Sequence, residues 1–120
     1  MKTAIIGSRI ITDYQLLKKA MQGKNATEII SGGASGADQL AERYAKEHGL
    51  PLTVFPADWA KYGKQAGMIR NQQIVKEADC IVALWDGQSK GTEATIRMAK
   101  NSGKLTKVVT PTQTNQTSLF

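Results

Sequence analysis

The stretch "IISGGASGADQLAERYAKEHG", Ile29 to Gly49, passes from an apolar pair through three glycines and two serines in six residues into a helical repeat. Ala37, Leu40, Ala41, Tyr44 and Ala45 recur at the spacing of one helix face, and Gly49 marks its end. Just ahead of the glycines, Thr27 to Ser31 reads as a short strand. A strand, a small-residue turn and an amphipathic helix in that order make half of a βαβ unit, whose next strand must run parallel to the first.

The same alternation continues on both sides. "TAIIG" (Thr3 to Gly7) reads as a buried strand, and "TDYQLLKKAMQG" as a helix with Thr12 or Asp13 as N-cap and Gly23 as a stop. "LPLTVFPA" supplies a third strand between two prolines. "PADWAKYGKQAG" is expected to be irregular, and a helix is expected over about Met68 to Ala78. "CIVALWDG" (Cys80 to Gly87) is apolar enough for a strand buried on both faces. A loop "GQSKG", a helix through "TEATIRMAKNSG" and a fifth strand "TKVVT" complete the pattern. Five strands and four helices predict one α/β domain over residues 1–110, with a mostly parallel five-stranded sheet and helices on both faces. Residues 111–120, "PTQTNQTSLF", are polar and are expected to form a flexible tail.

Composition narrows the chemistry. The 120 residues hold one cysteine, Cys80, and one histidine, His48, so an intramolecular disulfide and a cysteine metal cluster are excluded. A zinc site or a Cys–His pair has too few residues to draw on. No apolar stretch has the length of a membrane span, and "MKTAIIGSR" enters a strand at once, so a cytoplasmic location is expected. The net charge of +6 suits an anionic partner. The twelve lysines are scattered, however, as on an ordinary solvated surface.

In an open parallel sheet, ligands bind beyond the carboxyl ends of the strands. After the first strand stand Gly7, Ser8 and Arg9. After the second come Ser31, Gly32, Gly33, Ala34, Ser35, Gly36 and Asp38. Asp58 and Trp59 follow the third, and Trp85, Asp86, Gly91 and Thr92 follow the fourth, with Ser89 and Lys90 between. Arg70 and Asn71 lie where a loop enters a helix. These are the candidate ligand-binding residues. Glycine lets a backbone approach a ligand closely, and a helix start presents unpaired N–H groups to an anion, so the two glycine turns read as phosphate-binding loops. The plainer reading of each is a tight strand-to-helix turn. Ser35 and Asp38 have the form of a capping box. Trp59, Tyr62 and Trp85 are candidates for stacking on a base, although core packing is the commoner use of Trp85. Glu93 and Asp38 are the candidate catalytic acids, beside Asp58 and Asp86, but no pair has a spacing that demands acid–base chemistry.

Taken together, "IIGSR", "SGGASGAD" with "LAERYA", "FPADW…YGKQAG…RN", "ADCIVALWDGQSKGT" and "IRMAKNSG" resemble the YspA/cpYpsA-related branch of the SLOG superfamily, over about residues 3–110. That superfamily includes the DprA/Smf DNA-processing proteins and the Lonely Guy phosphoribohydrolases. The resemblance implies a Rossmann-like fold that binds nucleotides or their derivatives at the edge described. Ser31 to Asp38, Arg70-Asn71 and Gly91-Thr92 match the pocket segments of the DprA branch. The Lonely Guy pattern fits less well. Its catalytic glutamate would fall at Thr95, with the nearest acid at Glu93, and its paired arginine and lysine become Arg70 and Asn71.

Three readings follow. The first is a protein that binds a nucleotide or nucleotide derivative, with no further cofactor and no metal. The second is a phosphoribohydrolase or other nucleotide N-glycosidase. The third is a DprA-like binder of single-stranded DNA. A homodimer or higher homo-oligomer is expected by family analogy.

Overall fold

Thr3, Ala4, Ile5 and Ile6 bury their side chains on alternate faces of one strand, and this strand becomes the middle of the sheet. In the computed structural model, which describes residues 1–111, it is β1 (Lys2–Gly7). There follow α1 (Tyr14–Ala20), β2 (Glu28–Ser31), α2 (Ala37–Glu47), β3 (Leu52–Val54), α3 (Trp59–Tyr62), a 3-10 turn (Gly63–Gln65), α4 (Ala66–Glu77), β4 (Cys80–Leu84), α5 (Lys90–Asn101) and β5 (Leu105–Val109). All pairings are parallel, in the order β3-β2-β1-β4-β5. This is a Rossmann-like layout. The tail expected over 111–120 lies, from residue 112 onward, outside the described residues.

Two apolar layers follow from the strand alternation. Ile5, Ile29, Val82 and Leu84 face α1 and α2 through Leu17, Leu40, Ala41 and Tyr44. Ala4, Ile6, Ile30, Ile81 and Ala83 face α4 and α5 through Ile74, Val75 and Ala99. A fully buried aliphatic side chain in such a layer contributes about 1.5–3 kcal/mol. β4 is buried at every position, as its unbroken apolar sequence requires. β3 is an edge strand shorter than its sequence suggested, because Pro51 and Pro56 bracket it, and Leu52 and Val54 remain exposed.

Two local expectations change. The segment expected to be irregular holds α3, a single turn started by Asp58, whose Oδ1 accepts from the Lys61 amide at 3.1 Å. The capping box at Ser35 and Asp38 does not form: the N-cap of α2 is Gly36, with no side-chain cap. Asp38 instead turns back to the glycine loop, where its Oδ2 accepts from the Ala34 amide at 3.0 Å. The first helix agrees with its signal, since the Asp13 carboxylate accepts from Gln15 N.

The chain passes from β3 across the sheet to β4, so successive connections diverge between β1 and β4. At that switch point the loops separate and leave a crevice at the carboxyl edge.

Candidate functional site

The crevice is an open cleft of about 440 Å³, and its floor is the end of β1. Gly7 pairs with Leu84, and a Cβ on Gly7 would stand 2.1 Å from the Leu84 carbonyl oxygen. Only glycine lets the two central strands close at this point. Ser8 is buried; its amide donates to Leu84 O, and its Oγ accepts from the Asp86 amide at 3.2 Å. Arg9 and Ile10, both exposed, form the rim beside it.

Gly32, Ala34 and Asp38 make the second wall. Gly36 has φ +68°, and a Cβ there would lie 2.1 Å from Arg9 O, so this loop presses directly on the first. The Ala37 amide donates to Ser8 O at 3.2 Å. Ser31 is fully buried; its Oγ donates to Asp38 O and accepts from the Gly33 amide. Burial pushes the Asp38 carboxyl above the usual carboxylate range, against the pull of the Ala34 and Gly32 amides and of the Arg70 and Arg9 charges.

The third wall comes from the crossover. Gly67, Met68, Arg70, Asn71 and Ile74 of α4 line the cleft, with Trp59 of α3 at its mouth. Arg70 Nη1 donates to Gly32 O at 2.7 Å, and its Nε donates to Asn71 Oδ1 at 2.8 Å. The guanidinium therefore ties α4 to the glycine loop. Trp59 is 53% exposed, and its ring edge runs close over Gly67.

The fourth wall is the loop after β4 and the start of α5. The Asp86 Oδ1 accepts from the Ser89 amide at 2.7 Å and the Gln88 amide at 2.9 Å, and these bonds hold its carboxyl below the usual range. Ser89 is the N-cap of α5; its Oγ accepts from the Thr92 amide and donates to Thr92 Oγ1. The amides of Lys90 and Gly91 have no acceptor among the described residues. Thr95, one turn on, is buried and donates to Gly91 O.

Of the residues singled out in the sequence, the cleft brings together Gly7, Ser8, Arg9, Gly32, Ala34, Asp38, Trp59, Arg70, Asn71, Asp86, Gly91 and Thr92. Ser31 and Gly36 are buried behind the wall, and Gly33 and Ser35 are exposed outside it. Asp58 caps α3 and borders a neighbouring depression. Trp85 turns away, and its Nε1 donates to Ser89 O. Glu93 is exposed and does not line the cleft. Gly67 and Met68 carried no signal, because α4 reaches the cleft only through the crossover, and Ile10, an apolar residue in the loop after β1, carried none either. Thr95 did carry one: four residues after Gly91, it shares that residue's helix face.

Among the described residues, no three His, Cys, Asp or Glu side chains gather into a group able to hold a metal ion, and no helix is long and apolar enough to cross a membrane. Cys80 is buried beside Thr3 Oγ1, remote from the cleft lining.

A family model described as the YspA, cpYpsA-related SLOG family matches residues 1–62. The Gene 61 protein of Mycobacterium phage D29 is 33% identical over 113 residues, covering 85% of this chain and 90% of that protein. Among solved structures, one of DNA processing protein A from Helicobacter pylori, which describes that protein's single-stranded DNA binding mode, superposes with a TM-score of 0.70. The match covers 94% of this chain and 67% of that one, at 20% identity, a likeness of fold.

Proposed function

The chain belongs to the YspA, cpYpsA-related SLOG family, and from that premise we propose that its switch-point cleft captures a nucleotide or nucleotide derivative. One observation carries the reading: the same cleft holds an exposed indole, two arginines and the start of a twelve-residue helix. A base needs a flat apolar face, which Trp59 offers beside Met68. A phosphate needs converging donors. Arg9, the Gly91 amide and the Thr92 hydroxyl, whose oxygen already accepts from Ser89, supply them.

Capture without cleavage is the reading the carboxylates favour. By the resemblance to the Lonely Guy pattern, Thr95 falls where the catalytic glutamate would be, and Glu93 stands outside the cleft. The two acids inside are engaged with backbone amides, Asp38 with Ala34 and Asp86 with Gln88 and Ser89. Release of free base from a nucleoside monophosphate would overturn this half of the proposal.

Thermal-shift and calorimetric titration against mononucleotides, cyclic dinucleotides and ADP-ribose test the binding itself. A ligand at one hundred times its Kd adds about 2.7 kcal/mol of stability. Trp59→Ala should remove about 1–3 kcal/mol of affinity. Silence from every ligand sinks the proposal.

A second reading places the captured nucleotide in a single strand of DNA. It is favoured by the likeness in fold to DNA processing protein A and by the net charge of +6. Anisotropy of a labelled oligonucleotide should then fall steeply with salt. No binding at low salt removes it.

A further inference from the structure

The concave surface continues past the cleft. A second depression, of about 420 Å³, adjoins it and is bordered by Pro56, Asp58, Lys61, Tyr62, Ile69 and Gln73. Arg70 is the one described residue that borders both hollows. Its two hydrogen bonds among the described residues, to Gly32 O and to Asn71 Oδ1, use two of the five N–H donors of a guanidinium. The other three remain for a group lying on the saddle.

The single turn of α3 serves both hollows. Trp59 lines the first and Tyr62, three residues on, lines the second. Both residues are exposed, by 53% and 38%, where aromatic residues in a domain of this size would more often be covered. Lys61 holds its ammonium 5.1 Å from the centre of the Tyr62 ring, so positive charge accompanies the second ring as Arg9 and Arg70 accompany the first. Asp58 also borders the second hollow, with Oδ1 engaged by the Lys61 amide, and its charge disfavours a terminal phosphate there. Two hollows of nearly equal size thus each carry one exposed aromatic residue and share one arginine.

The geometry points to a ligand of two nucleotide units joined through phosphate, with one ring on Trp59, the next on Tyr62 and the linking phosphate on Arg70. This rests on the nucleotide reading above and goes beyond it by fixing the length of the ligand. The same chemistry is offered by a free dinucleotide and by two consecutive units of a single strand. In both cases a second stacked base adds affinity that a mononucleotide lacks, about tenfold or more.

Calorimetric titration with deoxyadenosine 5′-monophosphate, the dinucleotide d(pApA) and the corresponding decamer tests it. The expected result is that the dinucleotide binds at least about tenfold more tightly than the mononucleotide. Tyr62→Ala should bring the dinucleotide back toward mononucleotide affinity, whereas Trp59→Ala should weaken both ligands. Tyr62 is on the surface, so far-ultraviolet circular dichroism of the variant is expected to match the parent. A decamer equal to the dinucleotide assigns the site to a free dinucleotide; a further gain with length assigns it to a strand. Equal affinity for mononucleotide and dinucleotide overturns the two-unit site while leaving single-nucleotide capture standing. Binding of neither ligand overturns the two-unit site, and the capture of a nucleotide derivative then stands or falls on the wider titration above.

Discussion

The loop after β2 turns its polar groups inward, whereas the loop after β4 leaves part of a helix start facing the cleft. In Ser31 to Asp38, the Gly33 amide goes to Ser31 Oγ, the Ala34 amide to the Asp38 carboxylate and the Ala37 amide to Ser8 O. Gly32 O takes Arg70 from the opposite wall. Its glycines are there for close packing: a Cβ on Gly36 would collide with Arg9 O and one on Gly32 with the Arg70 guanidinium. After β4 the Asp86 carboxylate also captures two amides, but a Cβ on Gly91 would meet nothing within 4 Å and the Gly91 amide has no acceptor among the described residues. Loops of like composition therefore do different work. One joins three walls of the cleft, and the other presents a helix start to whatever enters it.

The sharpest way to break this contrast is one substitution made in each loop. Gly36→Ala adds a methyl against a backbone carbonyl at a φ that favours glycine, and denaturant unfolding should show a loss of about 2–5 kcal/mol. A loss under about 0.5 kcal/mol would mean that the loop is not a packed joint. Asp86→Ala removes the acceptor for the Gln88 and Ser89 amides and should cost about 1–2 kcal/mol by the same measurement, with the ladder of β4 intact by hydrogen exchange. Gly91→Ala has the opposite sign. In an open position at the first turn of α5 it should raise stability by about 0.5–1 kcal/mol, while its methyl enters the cleft and lowers nucleotide affinity in calorimetry.

The smallest effect is a pH dependence that runs in opposite directions for the two carboxylates. Asp38 holds its proton more tightly folded than unfolded, because burial disfavours its charge. Its ionisation therefore costs stability, and stability should fall as pH rises from the ordinary value of 3.8 through the raised one. Asp86, held low by backbone amides, contributes stability that is complete above 3.8 and is lost as pH falls through its lowered value. Urea midpoints followed over about pH 2–6 in Asp38→Asn and Asp86→Asn should lose these opposite slopes separately, the Asp38 slope above 3.8 and the Asp86 slope below it. Matching slopes in both variants would contradict the difference between the loops.

Much of the fold was legible in the chain, and for local reasons. Period-two burial in "TAIIG", period-3.6 spacing from Ala37 to Ala45, and glycine stops at Gly49 and Gly103 each act within a few residues. The parallel alternation then limited where a ligand could bind. The short helix at Trp59–Tyr62 was missed because one Asp58 cap in an otherwise polar segment is a weak signal beside its glycines and lysines. The capping box was misassigned because Ser35 and Asp38 fit the pattern by spacing, while the buried Asp38 carboxylate found the Ala34 amide nearer.

The sequence by itself determined that five parallel strands would place glycines, hydroxyls and arginines along one edge, because strand and helix periods and turn chemistry are local properties of the chain. Tertiary structure alone decided which of those groups remain available to a ligand. The crossover from β3 to β4 carries Trp59, Met68 and Arg70 to the cleft, and the contact of Gly36 with Arg9 closes one glycine loop upon its neighbours. Whether a hydrogen-bonding group is occupied depends on partners distant in sequence, and only the packed chain brings those partners within reach.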